Sequence, residues 1–308
     1  MPERDSAGAS VGTYVAYIFY EVFAAVITFL PRGFVLALGR AVGRLVYHLD
    51  GRHRTIASAN LTRAFGDSLT AKEREKTALR SFENFVRSVF DALKTAGWSP
   101  ARLMSVIDIE GYEHLEKAAR EGRGVLLFTA HYGNWEMVIP PFAGRIPFHI
   151  IARPLDNPLI ERDVLKARSR RGGTIVNKFG AGRPILRALG RNEAIGILID
   201  QNVLRREAVF VDFFGTSAAT TPALAVFHLR TGAPILPMYC VPSAGNRYRF
   251  RIEPPVVIPP ASGDEDADVL KITGICTKMI EETIRRNPSF WLWVHKRWQS
   301  RPLNEKPS

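Results

Sequence analysis

The chain has 308 residues, with 42 Lys and Arg against 30 Asp and Glu, and a formal net charge of +12. This length accommodates one large α/β domain with an accessory segment. The basic excess predicts an anionic partner, such as a membrane surface, an acidic carrier protein or nucleic acid. Cys240 and Cys276 offer no disulfide framework, and the seven histidines show no metal-binding spacing. A reduced, cytoplasm-facing compartment is the simplest interpretation.

The N-terminal segment 11–30 is an apolar stretch long enough to cross a bilayer. Glu21 lies at its middle, where a spanning helix would bury a charge at high cost. Five arginines and one aspartate follow between residues 32 and 54, and such bases favour the cytoplasmic side of a membrane. We therefore expect a helix that lies on or dips into one leaflet, with a buried core helix as the alternative.

Helical and strand-like patterns alternate over the rest of the chain. Apolar residues at three- and four-residue steps predict helices at residues 35–48, 71–95, 113–120, 135–143, 158–171, 183–190, 222–230 and 266–286. Apolar runs predict strands at 124–130, 147–153, 173–177, 194–200, 208–213, 233–241 and 247–258. This order predicts an α/β fold: a three-layer sandwich with a mixed, mostly parallel sheet flanked by helices, plus the N-terminal apolar membrane-associated helix. We divide the chain into a membrane-associating segment 1–55, an α/β domain 56–302 and a tail 303–308.

The string His-Tyr-Gly-Asn-Trp-Glu at 131–136 follows the predicted buried strand 124–130. A five-residue step turns a regular helix by about 140°, so His131 and Glu136 face each other only if His131 precedes the helix. Gly133 and Asn134 favour such a turn. A neutral imidazole oriented by a carboxylate removes the proton of a hydroxyl that attacks an acyl group. We predict His131 as a general base and Glu136 as its partner; the alternative is a core histidine with a first-turn glutamate.

Three polar residues lie at the ends of predicted strands: His131 after 124–130, Arg153 at the end of 147–153 and Asp200 at the end of 194–200. If these strands are parallel, the three residues share the edge at which open α/β sheets bind ligands. Asp200 would hold an arginine or bind an acceptor hydroxyl, with a simple turn aspartate as the alternative.

Residues 162–191 carry nine bases and one acid. A planar guanidinium binds phosphate through two parallel hydrogen bonds, so Arg153, Arg168 and Arg170 are candidates for binding an anionic substrate. For most of the nine bases a solvated helix face is a sufficient explanation.

Five strings in order resemble the bacterial lipid A biosynthesis (lauroyl/myristoyl) late acyltransferases. They start at His131, Arg153, Asp200, Phe213 and Pro288, and the resemblance covers about residues 12–302. It implies transfer of a fatty acyl chain from an acyl carrier protein (or CoA) thioester to a hydroxyl of a lipid A precursor. It also implies the cytoplasmic face of the bacterial inner membrane, no cofactor beyond the thioester co-substrate, and Arg168 and Arg170 as the arginines most directly indicated.

Other functions remain as alternatives. The same chemistry on phosphatidylinositol mannoside or an aminolipid is the closest of them. A nucleic-acid-binding protein is disfavoured because no reading motif is present. A lipid-binding protein without activity would need neither His131 nor Glu136. The tail from Trp291 to Trp298 mixes aromatics with bases, which suits either a headgroup anchor or a core.

Overall fold

The computed structural model describes residues 10–303 as helices around a mixed sheet. The helices are α1 (Val11–Phe29), α2 (Arg32–Leu49), α3 (Gly51–Phe65), α4 (Ala71–Lys94), α5 (Pro100–Met104), α6 (Tyr112–Ala119), α7 (Pro158–Arg170), α8 (Gly182–Gly190), α9 (Ala223–Thr231) and α10 (Glu265–Arg286). The strands are β1 (Ile107–Glu110), β2 (Val125–Thr129), β3 (Phe148–Ala152), β4 (Gly173–Asn177), β5 (Ala194–Leu198), β6 (Val209–Phe213), β7 (Thr216–Thr220), β8 (Ile235–Pro242) and β9 (Tyr248–Ile252).

Seven strands form one sheet in the order β1-β9-β8-β2-β5-β3-β4, while β6 and β7 form a separate hairpin. The five strands from β8 to β4 are parallel to one another, and β9 and β1 run in the opposite direction. The mixed, mostly parallel sheet is confirmed. Because β2, β3 and β5 are parallel, their C-terminal ends lie on one edge of the sheet, next to His131, Arg153 and Asp200.

Both faces of the sheet are covered. Every residue of β2 is buried, which is typical of a parallel strand between two helical layers. Leu126 and Phe128 point into a core that includes α8, α9 and α10, whereas Val125 and Leu127 point into a core that includes α6. The three-layer arrangement is therefore confirmed.

Several elements differ from the prediction. The predicted helix 135–143 is two short 3₁₀ turns, Trp135–Val138 and Pro140–Phe142. Pro140 and Pro141 lack the N–H groups that a longer helix would need. The sequence patterns did not reveal α3, α5, β1 or β7. The domain division stays a prediction: α3 runs through the proposed boundary at 55, and residues 1–9 and 304–308 lie outside the described residues.

Helix α1 lies on the surface of the domain. Its contacts include an edge-to-face pair of Phe23 with Phe90, 5.3 Å between centroids, and a 2.8 Å hydrogen bond from Tyr17 Oη to Asp163. Ile27 is its one buried residue, so the alternative of a buried core helix is wrong. Among the described residues, α1 is the one helix long and apolar enough to cross a membrane, although a signal sequence shows the same composition.

Candidate active site

His131 and Asp200 meet because β2 and β5 pair in register. Thr129 and Leu198, the last residues of the two strands, are partners, and each functional residue lies two positions further on. His131 Nδ1 is 2.9 Å from Asp200 Oδ1, and the main-chain N–H of His131 donates to Asp200 Oδ2 at 2.9 Å. Trp291 Nε1 donates to the same Oδ2 at 2.8 Å. The carboxylate thus holds both the ring and the backbone of His131.

The surroundings of Asp200 keep it ionised. Burial by itself raises the pKa of this carboxyl, but the charge and hydrogen bonds of His131, together with the Trp291 indole, hold the pKa below its ordinary value. An ionised carboxylate accepts the Nδ1 proton, so the neutral imidazole carries its lone pair on Nε2. This nitrogen lies 3.2 Å from the side-chain amide of Gln201. In this tautomer the Gln201 amide N–H donates to Nε2, and a bound hydroxyl that replaced this donor would be placed to give Nε2 its proton.

Glu136 does not make the hydrogen bond to His131 that the sequence suggested. Its carboxylate accepts from Arg168 Nη2 at 2.6 Å and Nε at 3.2 Å, and Arg171 Nη1 lies 3.4 Å away. Burial raises the pKa of Glu136, but the two guanidinium groups lower it by a larger amount. The pKa of Glu136 is therefore below its ordinary value. In the structure the hydrogen-bond partner of the imidazole is Asp200, because the 3₁₀ turn carries Glu136 to the arginines of α7.

The predicted arginines take different positions. Arg168 lines the cavity beside His131. Arg153 lies at the exposed mouth, where it pairs with Asp156 at 2.9 Å. Arg170 is exposed and is absent from the cavity wall, so the structure does not bring it to the site. The prediction missed the adjacent Arg171, which is 1% exposed and also donates to the carbonyl of Ala92 at 3.0 Å. Its only sequence signal was membership of a long basic run.

The turn after β2 is fixed by contacts from both sides. Gly133 has φ +67°, and a Cβ there would lie 2.3 Å from the carbonyl oxygen of Cys240. The N–H of Asn134 donates to that same oxygen at 2.8 Å. The Asn134 side chain donates to Tyr248 Oη at 2.9 Å, and Tyr248 donates to the buried Asp91 at 2.6 Å. These contacts hold His131 at the end of β2 and explain why glycine is needed at 133.

The C-terminal tail is part of the core. Trp291, Trp293 and Trp298 are at most 4% exposed, so the headgroup-anchor alternative is wrong for them. His295 Nε2 accepts a hydrogen bond from the Asn202 N–H at 2.9 Å, and burial lowers the pKa of His295 to about 4. His295 is therefore neutral near pH 7 and supports the Asp200-Gln201-Asn202 turn. The sequence string contained this histidine without indicating a role for it.

A cavity of about 990 Å³ opens beside His131 at the C-terminal edge of the parallel strands. Its volume lies at the upper end of the range for small-molecule sites. Its polar wall includes His131, Glu136, Arg168, Gln201 and His295, and its apolar wall includes Val138, Ile139, Phe148, Ile150 and Met238. Among the described residues no cluster of three or more His, Cys, Asp or Glu could hold a metal ion. The arrangement suits a ligand with a long apolar part and a reacting polar end.

The sequence profile of the bacterial lipid A biosynthesis acyltransferases matches residues 3–300. The chain belongs to this family. It is therefore an acyltransferase, and the family predicted from the five sequence strings is confirmed. Membership implies an acyl donor and a lipid acceptor.

Three relatives show how this acyltransferase compares with named proteins. The lipid A biosynthesis palmitoleoyltransferase of Escherichia coli K12 is 28% identical over 90% of this chain and 88% of its own. The lauroyltransferase of the same strain is 26% identical over 89% and 88%. The phosphatidylinositol mannoside acyltransferase of Mycolicibacterium smegmatis is 26% identical over 71% of each chain. A solved structure, the 1-acyl-sn-glycerophosphate acyltransferase PlsC of Thermotoga maritima, is 14% identical, with a TM-score of 0.36 over 82% of this chain and 98% of that one.

Proposed function

We propose that this acyltransferase transfers a fatty acyl chain from a thioester to a hydroxyl of a lipid A precursor, with His131 as the general base. The observation that carries the proposal is the His131–Asp200 pair at the polar end of a cavity with an apolar wall. His131 Nε2 takes the proton as the acceptor oxygen attacks the thioester carbonyl. The carbon–sulfur bond then breaks, and the proton passes to the departing thiolate. Asp200 stabilises the imidazolium that exists between these two proton transfers.

The cavity wall divides the substrate between two environments. The apolar wall around Phe148, Ile150 and Met238 suits a hydrocarbon chain, since each buried methylene contributes about 0.8 kcal/mol. The donor thioester would then lie with its carbonyl near His131. An activated thioester requires no covalent enzyme intermediate. This agrees with the state of both cysteines, which are buried and whose thiol pKa values burial raises far above neutral.

Arg168 and Arg153 are the proposed contacts for the phosphates of the acceptor. Arg168 is fixed by Glu136, so its charge is held at the cavity wall, while Arg153 is exposed at the mouth. In this account Glu136 acts mainly by holding Arg168 near the reacting groups. The charges of Glu136 and His131 also interact, so Glu136 keeps part of the electrostatic role proposed from the sequence.

Charge and surface support a proposal for the acyl donor and for the location of the protein. A net charge of +12 favours an acidic acyl carrier protein as the donor, with acyl-CoA as the alternative. The exposed apolar face of α1 supports association with a membrane. The family resemblance and the arginines that follow α1 favour the cytoplasmic face of the bacterial inner membrane. No nucleic-acid partner is proposed.

One comparison favours a second class of acceptor, the phosphatidylinositol mannosides. The phosphatidylinositol mannoside acyltransferase aligns over 71% of this chain at 26% identity, near the identity of the lipid A relatives. The same base and cavity would then acylate a mannose hydroxyl.

A transfer assay on purified protein in detergent tests the proposal. Radiolabelled acyl carrier protein thioesters or acyl-CoA are offered with a lipid A precursor or with phosphatidylinositol mannoside, each beside His131→Ala. We expect product with the lipid A precursor that is lost in the variant. Product with the mannoside alone would move the function to the second class, and equal product from His131→Ala would reject the mechanism.

A further inference from the structure

Three neighbouring parallel strands, β5, β3 and β4, each lead into a loop that exposes one large apolar side chain. Leu155 follows β3 and is 47% exposed, Phe179 follows β4 and is 66% exposed, and Leu204 follows β5 and is 55% exposed. Because the strands are parallel, the three loops lie on the same edge of the sheet as His131. Leu155 and Phe179 also border the mouth of the cavity. We call Leu155, Phe179 and Leu204 the apolar rim.

Bases accompany each member of the apolar rim. Arg153 precedes Leu155, Lys178 precedes Phe179 with its Nζ 5.0 Å from the ring centroid, and Arg205 follows Leu204. All three bases are exposed. Apolar side chains next to Lys and Arg are the combination that inserts into acyl chains while contacting anionic headgroups.

The apolar rim is continuous with α1. Asn157, in the loop of Leu155, donates through Nδ2 to the carbonyl of Thr13 at 3.0 Å, so the first turn of α1 lies beside this loop. From there α1 exposes a row of large apolar side chains, including Val11 at 80%, Ile18 at 60% and Phe19 at 72%. The helix and the three loops thus form a surface next to the cavity mouth.

We propose that the apolar rim contacts an anionic lipid leaflet, so that the cavity opens at the level of the headgroups. A lipid acceptor then enters from the leaflet without crossing water, and Arg153 and Lys178 lie at the depth of its phosphates. The identity of the acylated lipid depends on the proposed function. The contact between the apolar rim and the leaflet does not depend on it. The observations favour a bilayer over an acidic protein because the exposed side chains are large, apolar and contiguous with α1, whereas a carrier needs only the bases.

Site-specific fluorescence on the full chain tests this contact. Leu155→Cys, Phe179→Cys and Leu204→Cys are each labelled with a polarity-sensitive dye, and the two native cysteines are buried. The matched control is Val257→Cys, which is 87% exposed. It follows Val256, whose N–H donates to Ile235 at the start of β8, and it therefore lies at the opposite edge of the sheet.

With vesicles containing phosphatidylglycerol, the three rim labels should shift to shorter wavelength and be quenched by nitroxide-labelled lipid, while the label at 257 should not. A rim response no larger than that at 257 would overturn the proposal. Two other results would also overturn it. If the rim labels respond to acyl carrier protein and not to vesicles, the rim binds a carrier. If they respond to a rise in protein concentration and not to vesicles, the rim binds a second copy of the chain.

Two further measurements separate this proposal from the catalytic one. Repeating the labelling in His131→Ala should give the same shifts, because contact with lipid needs no chemistry. Loss of transfer activity with retained shifts would therefore contradict the proposed function alone. Lys178→Gln should weaken the preference for anionic over zwitterionic vesicles, while Lys117→Gln, an exposed base on α6, should not. Equal effects would contradict the assigned headgroup contact.

Discussion

His131 and Asp200 are 69 residues apart in the chain and are joined by two hydrogen bonds, one from the imidazole and one from the main-chain N–H of His131. The double contact fixes the ring and the turn that carries it. Because the carboxylate is 2% exposed, water does not compete for these bonds. Because Asp200 holds Nδ1, Nε2 is the imidazole nitrogen that would face a substrate in the proposed reaction.

Replacing His131 by Ala should lower kcat about 10²–10⁴-fold, the usual contribution of one general base. The fold should persist, because Asp200 keeps Trp291 and the main-chain N–H as donors. A matched control is His149→Ala, which removes a histidine paired with Glu193 at the other edge of the sheet. Steady-state transfer rates check this; similar losses in both variants would show that the effect is structural.

Arg168→Ala should raise the KM for a phosphorylated acceptor about tenfold or more, since a charge-assisted contact contributes about 1.5–3 kcal/mol. Arg170→Ala should leave KM nearly unchanged, because Arg170 is exposed and outside the cavity wall. Kinetics with varied acceptor concentration distinguish the two. A larger effect at Arg170 would restore the interpretation drawn from the sequence.

His295 should make folding stability depend on pH between about 6.5 and 4. Burial lowers its pKa to about 4, so the unfolded chain binds a proton in this window that the folded chain does not. The free energy of unfolding should therefore fall as the pH drops from 6.5 to 4, by at most about 3 kcal/mol. Urea unfolding of wild type and His295→Gln checks this, because glutamine offers an acceptor oxygen without titrating. An identical pH dependence in both proteins would contradict the prediction.

Ile150→Phe should shift the preferred acyl chain to a shorter one, because the added ring would occupy the apolar wall of the cavity. Each methylene changes discrimination by about 1–3 kcal/mol, so competing thioesters of different length report the shift directly. Met238→Ala should shift the preference the other way. No change in either variant would mean that the chain lies elsewhere.

The parts of the fold with strong periodicity could be predicted from the sequence. The ends of β2, β3 and β5 lie close to the predicted positions because apolar runs mark parallel strands well. Strand β7, with sequence TSAAT, was missed because its small side chains show no alternation, and its burial comes from the surrounding elements.

The site could be predicted only in part. His131, Arg153 and Asp200 were placed on one edge from strand order alone. The partner of His131 was not identified, because it depends on the register between β2 and β5 and on the indole of Trp291, both far away in sequence. Glu136 was assigned by local spacing, and local spacing contains no information on Arg171 approaching from the end of α7.

The most direct test of the account compares kcat for Asp200→Asn and Glu136→Gln in the same transfer assay, with thermal unfolding as a check on the fold. An asparagine amide would donate to Nδ1 and move the imidazole proton to Nε2, which removes the base. We predict a loss of kcat near that of His131→Ala for Asp200→Asn and a smaller loss for Glu136→Gln. A folded Asp200→Asn with nearly normal kcat, beside an inactive Glu136→Gln, would contradict the account and restore Glu136 as the partner of the base.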